Sequence, residues 1–219
     1  MSEPTKLSKI RVSKRAHYDE DTIHAILDCG LVAHVGFVLD GRPMVIPMAY
    51  ARNGSTLYIH GAKAARIIKK NKSVPACLTV THIDGLVVAR SAFHHSVNYR
   101  SVVVHGHLRD VTDQTEKEKA LVLVTNHLLP DRWDEVRPMT DKEFKSTGVL
   151  ALEIEAASAK IRSGPPVDDE EDYTLAIWAG VLECSQTLNG VIHDPRNIID
   201  DIPASIEKAR GRFNRAMQD

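Results

Sequence analysis

Apolar and polar residues alternate along residues 31–111, and short turn-forming dipeptides interrupt the alternation. Three of these dipeptides are Asp40-Gly41, Asn53-Gly54 and Asp84-Gly85. Asn-Gly and Asp-Gly between apolar runs favour two-residue hairpin turns, because such turns need positive φ angles that Gly, Asn and Asp tolerate. The runs predict six strands, over residues 31–38, 43–51, 56–60, 76–82, 86–91 and 100–111. We therefore expect a mainly β domain, an antiparallel barrel with flanking helices.

Other segments follow different patterns. Alternation over residues 149–161 predicts a further half-buried strand that closes the barrel. Residues 62–72 are basic and have helical propensity, so they break the strand pattern. Helices are also predicted over residues 21–29, 113–129, 141–146 and 203–217. The Pro-rich, acidic residues 163–173 predict a loop. This organisation suggests an N-terminal arm at residues 1–18, a barrel domain at 19–182 and a C-terminal extension at 183–219.

The charge, the apolar runs and the cysteines of the sequence argue against several classes of function and partner. The net charge is −1, and no block of one sign dominates, so neither nucleic acid nor a membrane surface is an expected partner. No apolar run is long enough to span a membrane, and residues 1–14 lack the apolar segment of a secretory signal. The three cysteines, Cys29, Cys77 and Cys184, are scattered and predict reduced thiols rather than a disulfide framework. We expect a cytoplasmic protein.

The junction after the third strand is a candidate phosphate site. His60 and Gly61 end the strand, and the basic segment that follows contributes Lys63 and Arg66. Backbone N–H groups beside lysine and arginine side chains suit a phosphate. The alternative is a connecting helix whose basic side chains face only water, and the spacing alone does not separate the two.

Residues 90–106 concentrate groups that often bind ligands. They include Phe93, Tyr99, Arg100 and Ser101 at the entry to a predicted strand. The alternative is a barrel corner in which these groups form hydrogen bonds to one another.

The same region holds four histidines, His94, His95, His105 and His107. No ligand spacing typical of a metal site accompanies them, so we predict no metal, and haem coordination by one of them stays open.

Five motifs together resemble a known superfamily. They are HVGFVLDGRPMVIPMAY, LYIHGAKAARIIK, CLTVTHIDGLVVARSAFHHSVNYRSVVVHG, SAKIRSGPPVDDEEDY and IWAGVL. The chain resembles the FMN-binding split-barrel superfamily of pyridoxamine 5′-phosphate oxidase, and within it the flavin-nucleotide-binding branch that includes nitroimidazole-resistance proteins. The resemblance implies a split β-barrel of six antiparallel strands that forms a homodimer with FMN at the interface, FAD and F420 being the alternatives.

The resemblance also implies particular site residues. Val45, Ile46 and Pro47 match the strand that lies against the isoalloxazine ring. The phosphate turn matches His60 and Gly61, with Lys63 and Arg66 as cations and Arg100 and Ser101 adding contacts from a following strand. Trp178 matches an aromatic residue that approaches the flavin from the other subunit. Family members often have a hydroxyl residue where this chain has Ala65, and the C-terminal arginine and histidine of the true oxidases have no match.

These inferences lead to three functional hypotheses. The first is an FMN-dependent oxidoreductase that passes electrons from NAD(P)H or reduced flavin to a small nitroaromatic or quinone, with His60 or Tyr99 as candidate proton donor. The second is a flavin- or haem-binding protein without turnover, for storage or sensing. The third is pyridoxamine 5′-phosphate oxidase itself.

Overall fold

Nine antiparallel strands form the framework of the part of the chain that the computed structural model describes, residues 4–69 and 73–216. The strands are β1 (Ala16–His17), β2 (Val32–Leu39), β3 (Arg42–Asn53), β4 (Thr56–Ala62), β5 (Val74–Val88), β6 (Ser96–Asp110), β7 (Thr147–Glu153), β8 (Ala156–Arg162) and β9 (Gly180–Glu183). The helices are α1 (Glu20–Cys29), α2 (Arg66–Lys69), α3 (Gln114–Leu128), α4 (Arg132–Glu135), α5 (Asp141–Ser146) and α6 (Ala204–Ala216). Short 3₁₀ turns lie at Ser13–Arg15, Ala92–His94 and Glu170–Thr174.

Six of these strands close into a barrel in the order β2-β3-β4-β7-β6-β5, because β5 and β6 also pair with each other. The long strand β6 pairs with β5 along one edge. Its other edge pairs first with β8, over 99–105, and then with β7, over 108–110. The strands β7 and β8 therefore diverge beside Gly106, and this divergence splits the barrel. The fold class predicted from the sequence, a split antiparallel barrel of six strands with flanking helices, is confirmed.

Two of the three predicted turns are hairpins. Asp40 and Gly41 both have positive φ, 49° and 76°, as a type I′ turn requires. Gly54 has a φ of 60°. Asn53 ends β3 and pairs with Thr56, so the loop itself is Gly54 and Ser55, with glycine first as in a type II′ turn.

The third dipeptide, Asp84-Gly85, is not a turn, and the prediction of two strands at 76–82 and 86–91 was wrong. Residues 74–88 form the single strand β5, with a register shift against β6 between Ile83 and Gly85. The Asp84 carboxylate accepts a hydrogen bond from Arg100 at 3.0 Å. A Cβ at Gly85 would lie 2.8 Å from Val181 Cγ1, so glycine lets β9 pack against the bulge.

Two further predictions needed correction. The strand predicted over 149–161 is two strands, β7 and β8, separated at Ile154 and Glu155. The helix predicted over 62–72 is shorter, because β4 continues to Ala62 and α2 begins at Arg66. Residues 70–72 of that prediction lie outside the described residues. The helices predicted over 21–29, 113–129 and 141–146 are confirmed as α1, α3 and α5. The tail helix predicted over 203–217 is α6 over residues 204–216, and residue 217 lies outside the described residues.

The apolar side chains form two clusters. The larger cluster fills the barrel and includes Ile23, Ile26 and Leu27 of α1, which packs over one end. The smaller cluster joins Ala120, Leu121 and Val124 of α3 to the outer face of the sheet. The described helices do not include one that is both long and apolar enough to cross a membrane.

The C-terminal extension returns to the barrel domain only at its end. Residues 184–203 contain no regular secondary structure. The helix α6 then docks beside α3 and α4, where Ser205 bonds to the Glu135 carboxylate and Lys208 to Asp131. Domain boundaries at residues 18 and 182 stay a prediction.

Candidate functional site

An unpaired strand edge lies between β3 and β4. The strand β3 pairs with β2 along residues 42–49, but it pairs with β4 only from Tyr50 to Asn53. Among residues 4–69 and 73–216, no strand pairs with the other edge of β3 over residues 42–49. The backbone N–H and C=O groups along that edge are therefore available to a ligand.

The side chains of this half of β3 alternate between the barrel interior and the surface. Met44, Ile46 and Met48 pack against the core, whereas Val45 is 64% exposed and Pro47 is also exposed. Of the three residues predicted to lie against the ring, Val45 and Pro47 thus present an apolar surface and Ile46 supports it from inside. This combination of free backbone groups and flat apolar surface suits a planar heteroaromatic ligand.

The predicted phosphate turn lies beside the same edge. A Cβ built on Gly61 would be 3.9 Å from Met48 Cε and from Ile68 Cγ1, so the turn, β3 and α2 meet there. The Lys63 N–H donates to the Ser146 carbonyl at 2.8 Å, which fixes the turn to the end of α5. Ile67 and Ile68 are buried, and the Lys63 and Arg66 side chains are exposed. The structure therefore brings His60, Gly61, Lys63 and Arg66 together with β3.

His60 has an unusual environment. Its ring is half-buried, and Nδ1 is buried without a hydrogen-bond partner in the described part of the chain. Burial lowers the pKa of His60, so the imidazole is neutral near pH 7. A buried ring nitrogen without a partner is costly in a folded protein, and a ligand that bonds to it removes that cost.

Other predicted site residues lie elsewhere in the single chain. Arg100 is paired with Asp84 and lies ten residues along β6 from Asp110, the end nearest the phosphate turn. The Ser101 hydroxyl donates to the Lys160 carbonyl, and Tyr99 pairs with Arg162 on β8. Trp178 is 70% exposed and precedes β9, which lies on the part of β5 away from β2. One chain does not bring these residues to the β3 edge.

The four histidines of residues 94–107 lie in two places, His94 and His95 before β6 and His105 and His107 in its second half, where both line one cavity. His94 lies 3.3 Å from an Asp169 oxygen, and His95 Nδ1 bonds to the Ser91 carbonyl. His107 Nδ1 lies 2.6 Å from Glu155 at the other end of β6. Within the described residues, no group of three His, Cys, Asp or Glu side chains is arranged to hold a metal ion.

Sequence reasoning missed two features of the site. The open edge of β3 depends on where β4 turns away, and no local pattern marks that residue. Lys117 of α3 lies near enough to Lys63 for the charge of Lys63 to lower the pKa of Lys117, although 54 positions separate the two in the sequence. A helix packed across the barrel end brings them together, which spacing along the chain does not reveal.

The fold and the site define a split-barrel protein. The chain belongs to the pyridoxamine 5′-phosphate oxidase family, whose model matches residues 19–161. Curated proteins, in contrast, gave no match to this sequence.

Several solved structures are similar to the chain. The flavocytochrome Anf3 from Azotobacter vinelandii is 40% identical, with a TM-score of 0.89 over 94% of this chain and 97% of that chain. The FAD and heme binding protein from Mycobacterium smegmatis is 30% identical, with a TM-score of 0.84 over 90% and 97%. A candidate 5-nitroimidazole antibiotic resistance protein from Bacteroides thetaiotaomicron is 22% identical, with a TM-score of 0.55 over 67% and 86%, and shares the fold.

Proposed function

We propose that this protein is a flavin-dependent oxidoreductase that passes electrons from NAD(P)H or a reduced flavin to a small acceptor of the nitroaromatic or quinone type. The observation that carries the proposal is the unpaired edge of β3 beside the His60–Gly61 turn. Similarity over nearly the whole chain to a flavocytochrome and to an FAD- and haem-binding protein supports the same class of cofactor. FMN is the flavin that the family favours, and FAD is the alternative.

Different residues would bind different parts of the flavin. Backbone groups of β3 bond to the polar edge of the isoalloxazine ring, while Val45 and Pro47 pack against it. Lys63 and Arg66 pair with the phosphate, since charge-assisted hydrogen bonds to phosphate are the strong ones. Bound flavin supplies the redox chemistry by accepting and returning electrons. His60, held neutral by burial, would orient the flavin ring and hold or accept a proton at its unpartnered Nδ1.

We further propose that two copies of the chain share each flavin. In one chain, Trp178 and residues 99–101 lie away from the β3 edge, and a second copy would bring them to it. The C-terminal extension carries isoleucines that a second copy would cover, since Ile192 is 97% and Ile198 98% exposed. A flavin-loaded protein that sediments with the mass of one chain would contradict this arrangement.

Replacing both Lys63 and Arg66 by alanine is expected to weaken flavin binding by about tenfold or more, because each change removes a charge-assisted contact to phosphate. The measurement is quenching of flavin fluorescence when FMN or FAD is added to protein freed of ligand. Riboflavin, which lacks phosphate, should bind the wild type and the double variant with equal affinity.

A matched double variant tests whether the loss is specific. Lys14→Ala/Lys119→Ala removes the same charge from exposed positions away from the turn, and its affinity for FMN should equal that of the wild type. Equal FMN affinity in the Lys63/Arg66 variant would reject the phosphate site. No binding of FMN or FAD by the wild-type protein would reject the proposed function.

A second candidate function is haem binding, and the unpartnered Nδ1 of His60 is the observation that favours it. A neutral imidazole is the usual protein ligand of haem iron. We expect titration with haemin to give a sharp Soret band that His60→Ala lacks. His95→Ala, at an exposed ring that bonds to the Ser91 carbonyl, should leave the band unchanged. Identical spectra for all three proteins would exclude His60 as the iron ligand.

A further inference from the structure

Three lysines line a cavity behind the phosphate turn. It has a volume of about 590 Å³ and lies between the β4–α2 turn, the ends of β6 and β7, α3 and α5. Lys63, Lys117 and Lys145 line it, together with Asp110 and Asp141. The three ammonium groups exceed the two carboxylates by one positive charge. We call this space the lysine cavity.

Lys117 is held in place within the lysine cavity. Its Nζ donates to the Phe144 carbonyl at 2.6 Å and lies 4.3 Å from the centre of the Phe144 ring. Burial, and then the positive charge of Lys63, lower the pKa of Lys117. The cation is therefore positioned in advance beside a second cation, which favours an anion between them.

A second cavity adjoins the first. It has a volume of about 740 Å³, and it shares Gln114, Asp141 and Phe144 with the lysine cavity. Its lining adds Trp133 and Met139 and two further carboxylates, Glu118 and Asp134. We call this space the aromatic cavity. Lysines thus line one of two adjoining cavities, Trp133 and further carboxylates line the other, and Phe144 lines both.

We propose that the lysine and aromatic cavities together bind an adenosine diphosphate group. Its phosphates pair with Lys63, Lys117 and Lys145, and its adenine packs against Phe144 and Trp133. Asp141 accepts hydrogen bonds from the ribose hydroxyls, as carboxylates do in other nucleotide sites, and Asp134 accepts from the adenine amino group. The volumes of the two cavities are in the range of pockets that hold ligands of this size.

FAD and NAD(P)H, two ligands of the proposed function, both contain an adenosine diphosphate group. The inference therefore rests on the proposed function. In FAD, the adenylate half would extend from the flavin phosphate at Lys63 into the lysine cavity. In NADH or NADPH, the group would anchor the electron donor beside the flavin. Lys63 links both cases, because it belongs to the phosphate turn and also lines the lysine cavity.

The first experiment compares FAD with FMN. Lys117→Met keeps most of the side-chain volume and removes the charge, and Lys145→Ala removes an exposed charge with little risk to folding. If FAD is the ligand, each variant should weaken FAD binding by about tenfold and leave FMN binding within about twofold of the wild type. Lys119→Ala, on the exposed face of the same helix, is the matched control and should change neither affinity.

The second experiment measures ADP and NADH binding by calorimetry on the FMN-loaded protein. If a pyridine nucleotide is the ligand, Lys117→Met and Lys145→Ala should weaken both by about tenfold and leave the ratio of FAD to FMN affinity unchanged. Trp133→Leu should weaken ADP binding but not pyrophosphate binding, because Trp133 lines only the aromatic cavity and would pack against the adenine. Thermal denaturation of each variant establishes that it is folded.

The failures of the two proposals are distinguishable. Wild-type protein that binds flavin, but whose FAD, ADP and NADH affinities do not respond to Lys117→Met or Lys145→Ala, overturns the adenosine diphosphate site alone. Wild-type protein that binds no flavin overturns the proposed function. ADP titrated into protein freed of flavin still tests the two cavities, since that measurement does not depend on a bound flavin.

Discussion

Replacing Gly106 by alanine is expected to lower the free energy of unfolding by about 3 kcal/mol or more. A Cβ at this position would lie 2.1 Å from the backbone oxygen of Glu153 and 3.3 Å from Leu152 Cδ1. The nearer atom belongs to the backbone of β7, so no side-chain rotation relieves the clash. Gly106 lies where β6 changes its partner from β8 to β7, and pushing these strands apart there opens the barrel.

The same substitution at Gly211 should leave the free energy of unfolding unchanged or raise it. Gly211 lies within α6, and nothing lies within 4 Å of a Cβ built there. Alanine is favoured over glycine in a helix by about 1 kcal/mol, so Gly211→Ala should be neutral or stabilising. Urea unfolding of both variants gives the comparison. Equal unfolding midpoints for Gly106→Ala and the wild type would show that the β6–β7 contact is looser than the structure indicates.

Local sequence signals predicted the strands and hairpins that depend on local geometry. Asp40 and Gly41 form their turn because their own φ angles are positive, which the dipeptide itself favours. Asp84-Gly85 carries the same signal but continues a strand. Its conformation is decided by Arg100 and by β9, which are 16 and nearly 100 positions away. A dipeptide pattern contains no information about such distant partners.

The candidate site was predictable to a similar extent. Motif resemblance located β3 and the His60–Arg66 turn, and the structure places them side by side. It also implied Arg100 and Ser101, which lie elsewhere in the single chain. The open edge of β3 and the cavity that joins Lys63 to Lys117 depend on strand divergence and on helix packing. Those features arise only when elements distant in sequence come together.

The last turn of α1 is held by three side chains from different strands and helices. His82 Nε2 donates to the Ile26 carbonyl at 3.1 Å, the Tyr50 hydroxyl donates to the Leu27 carbonyl, and His127 Nε2 donates to the Gly30 carbonyl at 2.6 Å. The final carbonyls of a helix have no partner within it, so these donors replace the missing bonds. Because α1 closes one end of the barrel, the three bonds couple it to β3, β5 and α3.

We expect two of these donors to make stability depend on pH. Burial lowers the pKa of both His82 and His127 in the folded protein. For His82, the charge of Arg100 adds to this effect and that of Asp84 opposes it. For His127, Arg212 adds to the effect and Asp28 opposes it. The unfolded chain therefore takes up protons first as the pH falls through about 6.5. Since the unfolded state then binds more protons, the free energy of unfolding should decrease below that pH, by at most about 1.4 kcal/mol per pH unit for each histidine.

Urea unfolding at pH 7.5, 6.5 and 5.5 measures this decrease. The His82→Gln/His127→Gln variant keeps an N–H donor at both positions but cannot titrate, so its unfolding free energy should fall less steeply with acid than that of the wild type. His193→Gln, at an exposed position of the C-terminal extension, is the matched control and should retain the wild-type slope. Parallel curves for the double variant and the wild type would mean that the acid sensitivity comes from other groups, and that the end of α1 keeps its bonds when the histidines are charged.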